Sequence, residues 1–206
     1  MSSKKETRRH REMMILSKLD KMGVLSRSQL QKIVGVHNVR TMNDILSSMG
    51  TYLNHTRMME NVYYLSKQGR EFIGSNTIVK KTSQLEHKVM RNDMFIYYDY
   101  PTTWEQEKPF TFTDGKTREK TKIIADAFFT MDNAHYFIEV DCQQKMIANY
   151  RKIDQYAKLF PAYERKYNVD CMLVFYTNSE FRQKKLIQYA EKNGVVIGVL
   201  TRRDLE

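Results

Sequence analysis

The chain has little of what breaks up, cross-links or anchors a polypeptide. It carries 3 prolines and 8 glycines in 206 residues, too few for a low-complexity or linker-like protein. It has 2 cysteines, Cys142 and Cys171, and their spacing is not that of a metal site. Nothing at the start reads as an export signal, so two buried thiols are expected rather than a disulfide. No apolar run approaches the roughly 18 residues that a membrane span needs. Met1 to Arg11 is polar and basic, with no apolar stretch behind it of the secretory kind. These absences lead to the expectation of a cytoplasmic protein with packed cores and no membrane partner. The 5 histidines (10, 37, 55, 87 and 135) show no ligand spacing, and the one tryptophan, Trp104, is expected in the core.

Charge is present in quantity and unevenly placed. Residues 1–82 hold 15 Lys and Arg against 6 Asp and Glu, a net of +9. Residues 83–206 hold 19 against 18, a net of +1. A basic module joined to a neutral one points to a polyanion for the first half. Double-stranded DNA is the first candidate, because Lys and Arg contacts to phosphate dominate its binding.

Residues 4–11 (KKETRRHR) form a basic lead-in, with Arg8 and Arg9 in it. From about Thr7 to Met22 the apolar spacing is helical, with Ile15, Leu19 and Met22 on one face and Gly23 as the stop. Ser26 caps a short second helix. A third runs from about Asn38 to Ser48. Its inner face is Val39, Met42, Ile45, Leu46 and Met49, and its outer face is Asn38, Arg40, Thr41, Asn43, Asp44 and Ser47. Leu53 and Val62–Leu65 read as two strands joined through residues 54–57, followed by a helix from Ser66. Three helices, a hairpin and a helix is the order of a winged helix-turn-helix. Such a fold lays its third helix in the major groove, with Arg57 at or near the wing tip on phosphate or in the minor groove. Asn38, Arg40, Thr41, Asn43, Arg57, Arg8 and Arg9 are the candidate DNA-binding residues, since these side chains reach base edges and phosphates. The blander reading is a helical protein-interaction module with a solvated third helix.

Residues 74–84 read as a linker. Beyond it the pattern is helix (85–98), a strand at 103–107, a polar stretch (108–122) turning at Asp114-Gly115, and strands at 123–131 and 135–142. A helix over 143–159, stopped before Pro161, is followed by a strand at 170–176, a helix at 179–192 and a strand at 195–200. Asp126 lies on one central strand. Glu139 and Asp141 lie on the next, two apart and so on one side of the sheet. Carboxylates gathered at strand centres are costly to bury without a cation, and carboxylate oxygens are what Mg²⁺ selects. A bound Mg²⁺ there could activate water at a phosphodiester. Mg²⁺ is the one cofactor this pattern would take, held by Asp126 and Glu139.

The segments IIADAFFTM and AHYFIEVDC resemble the PD-(D/E)xK nuclease superfamily over about residues 83–200. The resemblance implies an αβββαβ core with metal and water held by an Asp on one strand and an acidic-x-Lys pair on the next. Here Asp141 stands at the lysine position. The lysine's charge-stabilising role would fall to Lys145 or Lys152, so a catalytic set would be Asp126, Glu139, Asp141 and Lys145. The alternative is that Glu139 and Asp141 pair with a neighbour such as Lys122 or Lys145.

Over both halves, YYLSKQGREFIG, ADAFF and YFIEVD in that order, then Lys152 and Tyr156, resemble the replication-relaxation family of plasmids and mobile elements in Gram-positive bacteria. The resemblance implies work in replication, DNA relaxation or relaxosome assembly, or transcriptional control. The expected fold class is α/β: an N-terminal winged helix-turn-helix (1–82, with a basic arm) followed by an αβββαβ restriction-endonuclease-like domain (83–206). The expected function is double-stranded DNA binding by a protein whose nuclease-like half is a scaffold. The alternative is a metal-dependent DNA nuclease. A homodimer and replication or relaxosome proteins are the further partners considered.

Overall fold

The computed structural model describes residues 4–80, 84–115 and 117–205. Part of the expected linker, residues 81–83, lies outside them. The described residues form a mixed α/β protein of seven α-helices, one 3₁₀ turn and two β-sheets. The chain divides into two compact units, Met1–Asn92 and Asp93–Glu206.

The first unit begins with α1 (Lys4–Met22). Its Ile15, Leu16, Leu19 and Met22 are fully buried, the i, i+4, i+7 stripe of a helix that packs on one side. The basic lead-in is not a separate arm: it is helical from Lys4, and Arg8 pairs with Glu12 one turn on at 3.0 Å. Gly23, at φ 78°, ends the helix. A short strand not expected from the sequence, β1 (Leu25–Ser26), follows. Ser26 then caps α2 (Arg27–Val34) in a capping box with Gln29, which satisfies two otherwise unpaired N–H groups. After Gly35, also left-handed, comes α3 (Val39–Ser48), which buries Met42, Ile45 and Leu46.

Strands β2 (Leu53–Arg57) and β3 (Asn61–Leu65) pair antiparallel, and β1 adds to the other edge of β3. Residues 54–57, expected as the loop, are therefore strand, and the turn is Met58–Glu60. The turn is fastened: Glu60 ion-pairs with Arg27 at 3.1 Å and accepts from the Ser28 hydroxyl and N–H. Ser66 caps α4 (Lys67–Ile73). Gly69 is required there, because a Cβ would stand 2.1 Å from the Tyr52 carbonyl oxygen. The helix α5 (Leu85–Tyr97), expected as the first element of the second module, gives its first turns to this unit. Asn92 is fully buried and donates to the carbonyls of Met22 and Val24.

The second unit is built on one five-stranded sheet in the order β4-β5-β6-β7-β8. β4 (Glu105–Thr113), β5 (Lys120–Met131) and β6 (Ala134–Asp141) are antiparallel neighbours. β7 (Asp170–Thr177) and β8 (Gly198–Leu200) add in parallel. β4 runs well past the expected Glu107, because Phe110 and Phe112 alternate inward through a polar stretch, and its place at the sheet edge tolerates Pro109. Asp132 and Asn133, both at positive φ, make the tight turn into β6.

The crossover between β6 and β7 is α6 (Met146–Tyr167), and α7 (Glu180–Lys192) connects β7 to β8. α6 does not stop before Pro161. Proline removes one main-chain hydrogen bond, but this one faces solvent, while Leu159 and Phe160 before it and Tyr163 after it pack on the core. Ile153, Tyr156, Phe137 and Phe175 are completely buried at the centre of that core. Trp104 is buried as expected, against Phe95 and Phe129. Cys142 and Cys171 are half-buried rather than buried, and neither is in a disulfide.

Candidate functional site

The middle of β5, the C-terminal end of β6 and the first turns of α6 bring together Asp126, Glu139, Lys152 and Tyr156. Glu139 is 1% exposed. One of its oxygens accepts the Tyr156 hydroxyl at 2.7 Å, and the other is bonded to the Lys152 ammonium. The same ammonium lies 3.9 Å from Asp126 Oδ2. Asp126 stands where the sheet forks. The β5–β6 ladder ends at Ala127–Ile138, and Asp126 Oδ2 accepts the Val140 N–H at 2.7 Å in place of a main-chain partner. The β4–β5 ladder also skips this position: Gln106 and Lys108 are paired, while Glu107 between them has φ 51°.

The electrostatics follow from burial. Burial, then the neighbouring Asp126 carboxylate, pushes the Glu139 carboxyl up to about 8. Burial alone would lower the Lys152 ammonium, but Glu139 and Asp126 outweigh it and its pKa ends above the ordinary value. The Tyr156 hydroxyl is pushed well up by burial and by Glu139.

Asp141 faces a different partner. It is completely buried, and Arg182 of α7 grips both of its oxygens at 2.6 Å while the Thr177 hydroxyl donates at 3.1 Å. Arg182 also reaches the Gln144 carbonyl. The partners proposed from sequence do not fill these roles: Lys122 is exposed on β5 and Lys145 is exposed just before α6. Lys152 takes Glu139 and Arg182 takes Asp141. Lys152 sits on the buried face of α6, one turn from Asn149 and from Tyr156. No local signal marks Arg182, which lies 41 residues from Asp141.

Two of the three carboxyl groups are already held by protein donors. The oxygens of Glu139 are taken by Lys152 and Tyr156, and those of Asp141 by Arg182 and Thr177. Asn149, 1% exposed, has both amide polar atoms without a hydrogen-bond partner, but one neutral oxygen does not make a divalent site. Among the described residues no group of three or more His, Cys, Asp or Glu side chains is placed to hold a metal ion.

The candidate DNA-contact residues lie in the first unit. Asn38 caps α3, and its Oδ1 accepts from the Thr41 N–H at 2.9 Å and the Thr41 hydroxyl at 3.2 Å. Arg40 and Asn43 are exposed on the α3 face opposite Met42 and Ile45. Arg57 is exposed at the end of β2, opposite Asn61 and next to the turn. Arg8 and Arg9 are exposed on α1, Arg8 with its Glu12 partner.

The model of the replication-relaxation family matches residues 16–170, about three-quarters of the chain. The chain belongs to the replication-relaxation family. The match takes in Asp126, Glu139, Asp141, Lys152 and Tyr156 and ends before Arg182. Membership ties the protein to replication or DNA relaxation. No curated protein matches it. Among solved structures it is similar to protein VC1899 from Vibrio cholerae at 11% identity and a TM-score of 0.42. That similarity covers 97% of this chain and 48% of the other, so this replication-relaxation protein spans about half the length of VC1899. Among the described residues no helix is long and apolar enough to cross a membrane.

Proposed function

We propose that this replication-relaxation protein binds double-stranded DNA of a plasmid or mobile element through its first unit, and that its second unit is a nuclease-like scaffold. The observation that carries the DNA reading is the exposed outer face of α3, with Arg40 and Asn43 free of the core, next to a hairpin whose turn is fastened by Glu60. The order α1-β1-α2-α3-β2-β3-α4 is that of a winged helix, and nearly all of the protein's net charge lies in this part of the sequence. In that fold α3 enters the major groove and Arg57 lies on the backbone. Asn38 and Thr41 act mainly by fixing the start of α3, because their side chains hold each other.

The order α5-β4-β5-β6-α6-β7 is the αβββαβ order of a PD-(D/E)xK-like core. The scaffold reading rests on the two internal cations, Lys152 and Arg182, that occupy its carboxylates.

Fluorescence anisotropy with a labelled duplex across a salt series tests the first part. Affinity should fall steeply as salt rises. Arg40→Ala should weaken binding by ~1–3 kcal/mol if it meets a base bidentately, and Arg57→Ala should flatten the salt slope by about one unit. Binding with no salt dependence would sink the DNA reading. Incubation with supercoiled plasmid and Mg²⁺ tests the second part, and nicked product would overturn the scaffold.

A further inference from the structure

A cavity of about 480 Å³ opens between β4 and the C-terminal half of α6, at the other end of β6 from Glu139. Its floor is the buried pair Phe110 and Phe128, with rings 5.3 Å apart. Tyr163 and Tyr167, 4.5 Å apart, line one side, and His135 stands edge-on to Phe128 at 5.4 Å. His135 Nδ1 is hydrogen-bonded to the Tyr163 hydroxyl at 3.0 Å. Two lysines stand at the mouth: Lys166 over the Tyr167 ring at 5.0 Å and Lys108 over Phe128 at 5.9 Å.

We propose that this cavity binds a nucleotide, with the base among the aromatic rings and the phosphate at the lysines. The volume lies within the roughly 300–1,000 Å³ of small-ligand sites. Aromatic walls stack a base whatever its identity. A box of rings is also what a quaternary ammonium seeks, but two lysines at the mouth repel a cation and attract an anion. Glu105 holds Lys108 at 2.6 Å, so Lys166 is the main phosphate contact. Burial lowers the His135 pKa, so the ring is neutral at pH 7, and Nε2, not engaged by Tyr163, faces no charge penalty in meeting a base edge. The nucleotide is either free or one unit of a single strand. The proposal does not rest on duplex binding by the first unit.

The test uses the full chain, with NMR of the histidine ring signals (His135 identified by their loss in His135→Gln) and calorimetry. The probes are dAMP, deoxyribose 5-phosphate, deoxyadenosine and a short oligo(dT). The expected result is that dAMP shifts the His135 signals and binds more tightly than either fragment, by about 10-fold for each ~1.4 kcal/mol that the missing half contributes. Tyr167→Ala should weaken binding about 5- to 150-fold, the range carried by stacking one base on one ring, and Lys166→Glu should weaken it too. Both residues are exposed at the rim, and far-UV circular dichroism checks that the variants fold. A response to oligo(dT) but not dAMP identifies the strand as the source. No His135 shift with either probe, or binding that survives both variants, overturns the proposal. Arg40→Ala should leave dAMP binding unchanged while weakening duplex binding, which separates this site from the first unit.

Discussion

Lys152→Met isolates the internal cation of the second unit. Methionine keeps the apolar stem and removes the charge. Glu139 then stays 1% exposed with only the Tyr156 hydroxyl as a bonded partner. Breaking a buried ion pair by removing one partner costs ~3–5 kcal/mol. The Lys152 side chain is 23% exposed, so the lower end applies. The cost depends on pH, with a fixed sign. Burial first, then Asp126, holds the Glu139 pKa up at about 8 against an ordinary value of 4.5. The folded protein therefore keeps a proton that the unfolded chain releases, and this contribution to stability is full below 4.5 and declines as pH rises toward 8. Removing Lys152 takes away its charge and its hydrogen bond, two of the three influences that pull the value down, and leaves only the Tyr156 hydrogen bond, so the value climbs further in the variant. Wild type and variant thus lose stability together up to about pH 8 and separate above it, by up to ~1.4 kcal/mol per pH unit. Lys152 itself, with its pKa raised, remains charged in the wild type through this window. Urea denaturation should show a deficit of ~1 kcal/mol at pH 7, for the lost hydrogen bond, and ~3 kcal/mol at pH 10. Adding Glu139→Gln to the variant should flatten the pH dependence and recover stability at pH 10. An equal deficit at both pH values, or a double variant no more stable than the single one, would refute the reasoning.

Arg182→Leu leaves the fully buried Asp141 with Thr177 and no cation, and should cost ~3–5 kcal/mol in urea denaturation at pH 7. Gly69→Ala drives a methyl into the Tyr52 carbonyl and should cost ~1–3 kcal/mol or more, read as a lowered melting temperature of the first unit. Ser26→Ala removes the α2 capping bond to the Gln29 N–H and should cost ~1 kcal/mol by the same measurement.

Periodicity made much of this fold legible. The stripe Ile15, Leu19, Met22 marked α1, and the dense apolar runs around Phe128, Phe137 and Val174 marked the central strands. The misses have physical causes. Residues 54–57 (NHTR) show no apolar alternation, and what holds them extended is pairing to Asn61–Tyr64, a long-range property. β1 is two residues long and exists only because β3 has an edge to fill. Pro161 was a reasonable stop signal, overridden by the packing of the side chains around it. At the site, the shared face of Glu139 and Asp141 followed from strand parity. Their cations did not, because Lys152 depends on the phase at which α6 begins and Arg182 on how α7 docks. Lys145 is nearer in sequence to both carboxylates, yet it precedes the helix and faces water.

The fork at Asp126 bears on how any cleavage experiment can be interpreted. That carboxylate is a keystone of the architecture: it receives the Val140 amide where two strands part. Alanine at this position would leave an amide proton unanswered and loosen the strand that carries Glu139. Lost cleavage in such a variant would then report a slackened scaffold as readily as a missing reactive group. Asparagine keeps an oxygen for Val140 while discarding the charge, so Asp126→Asn is the substitution that separates geometry from chemistry.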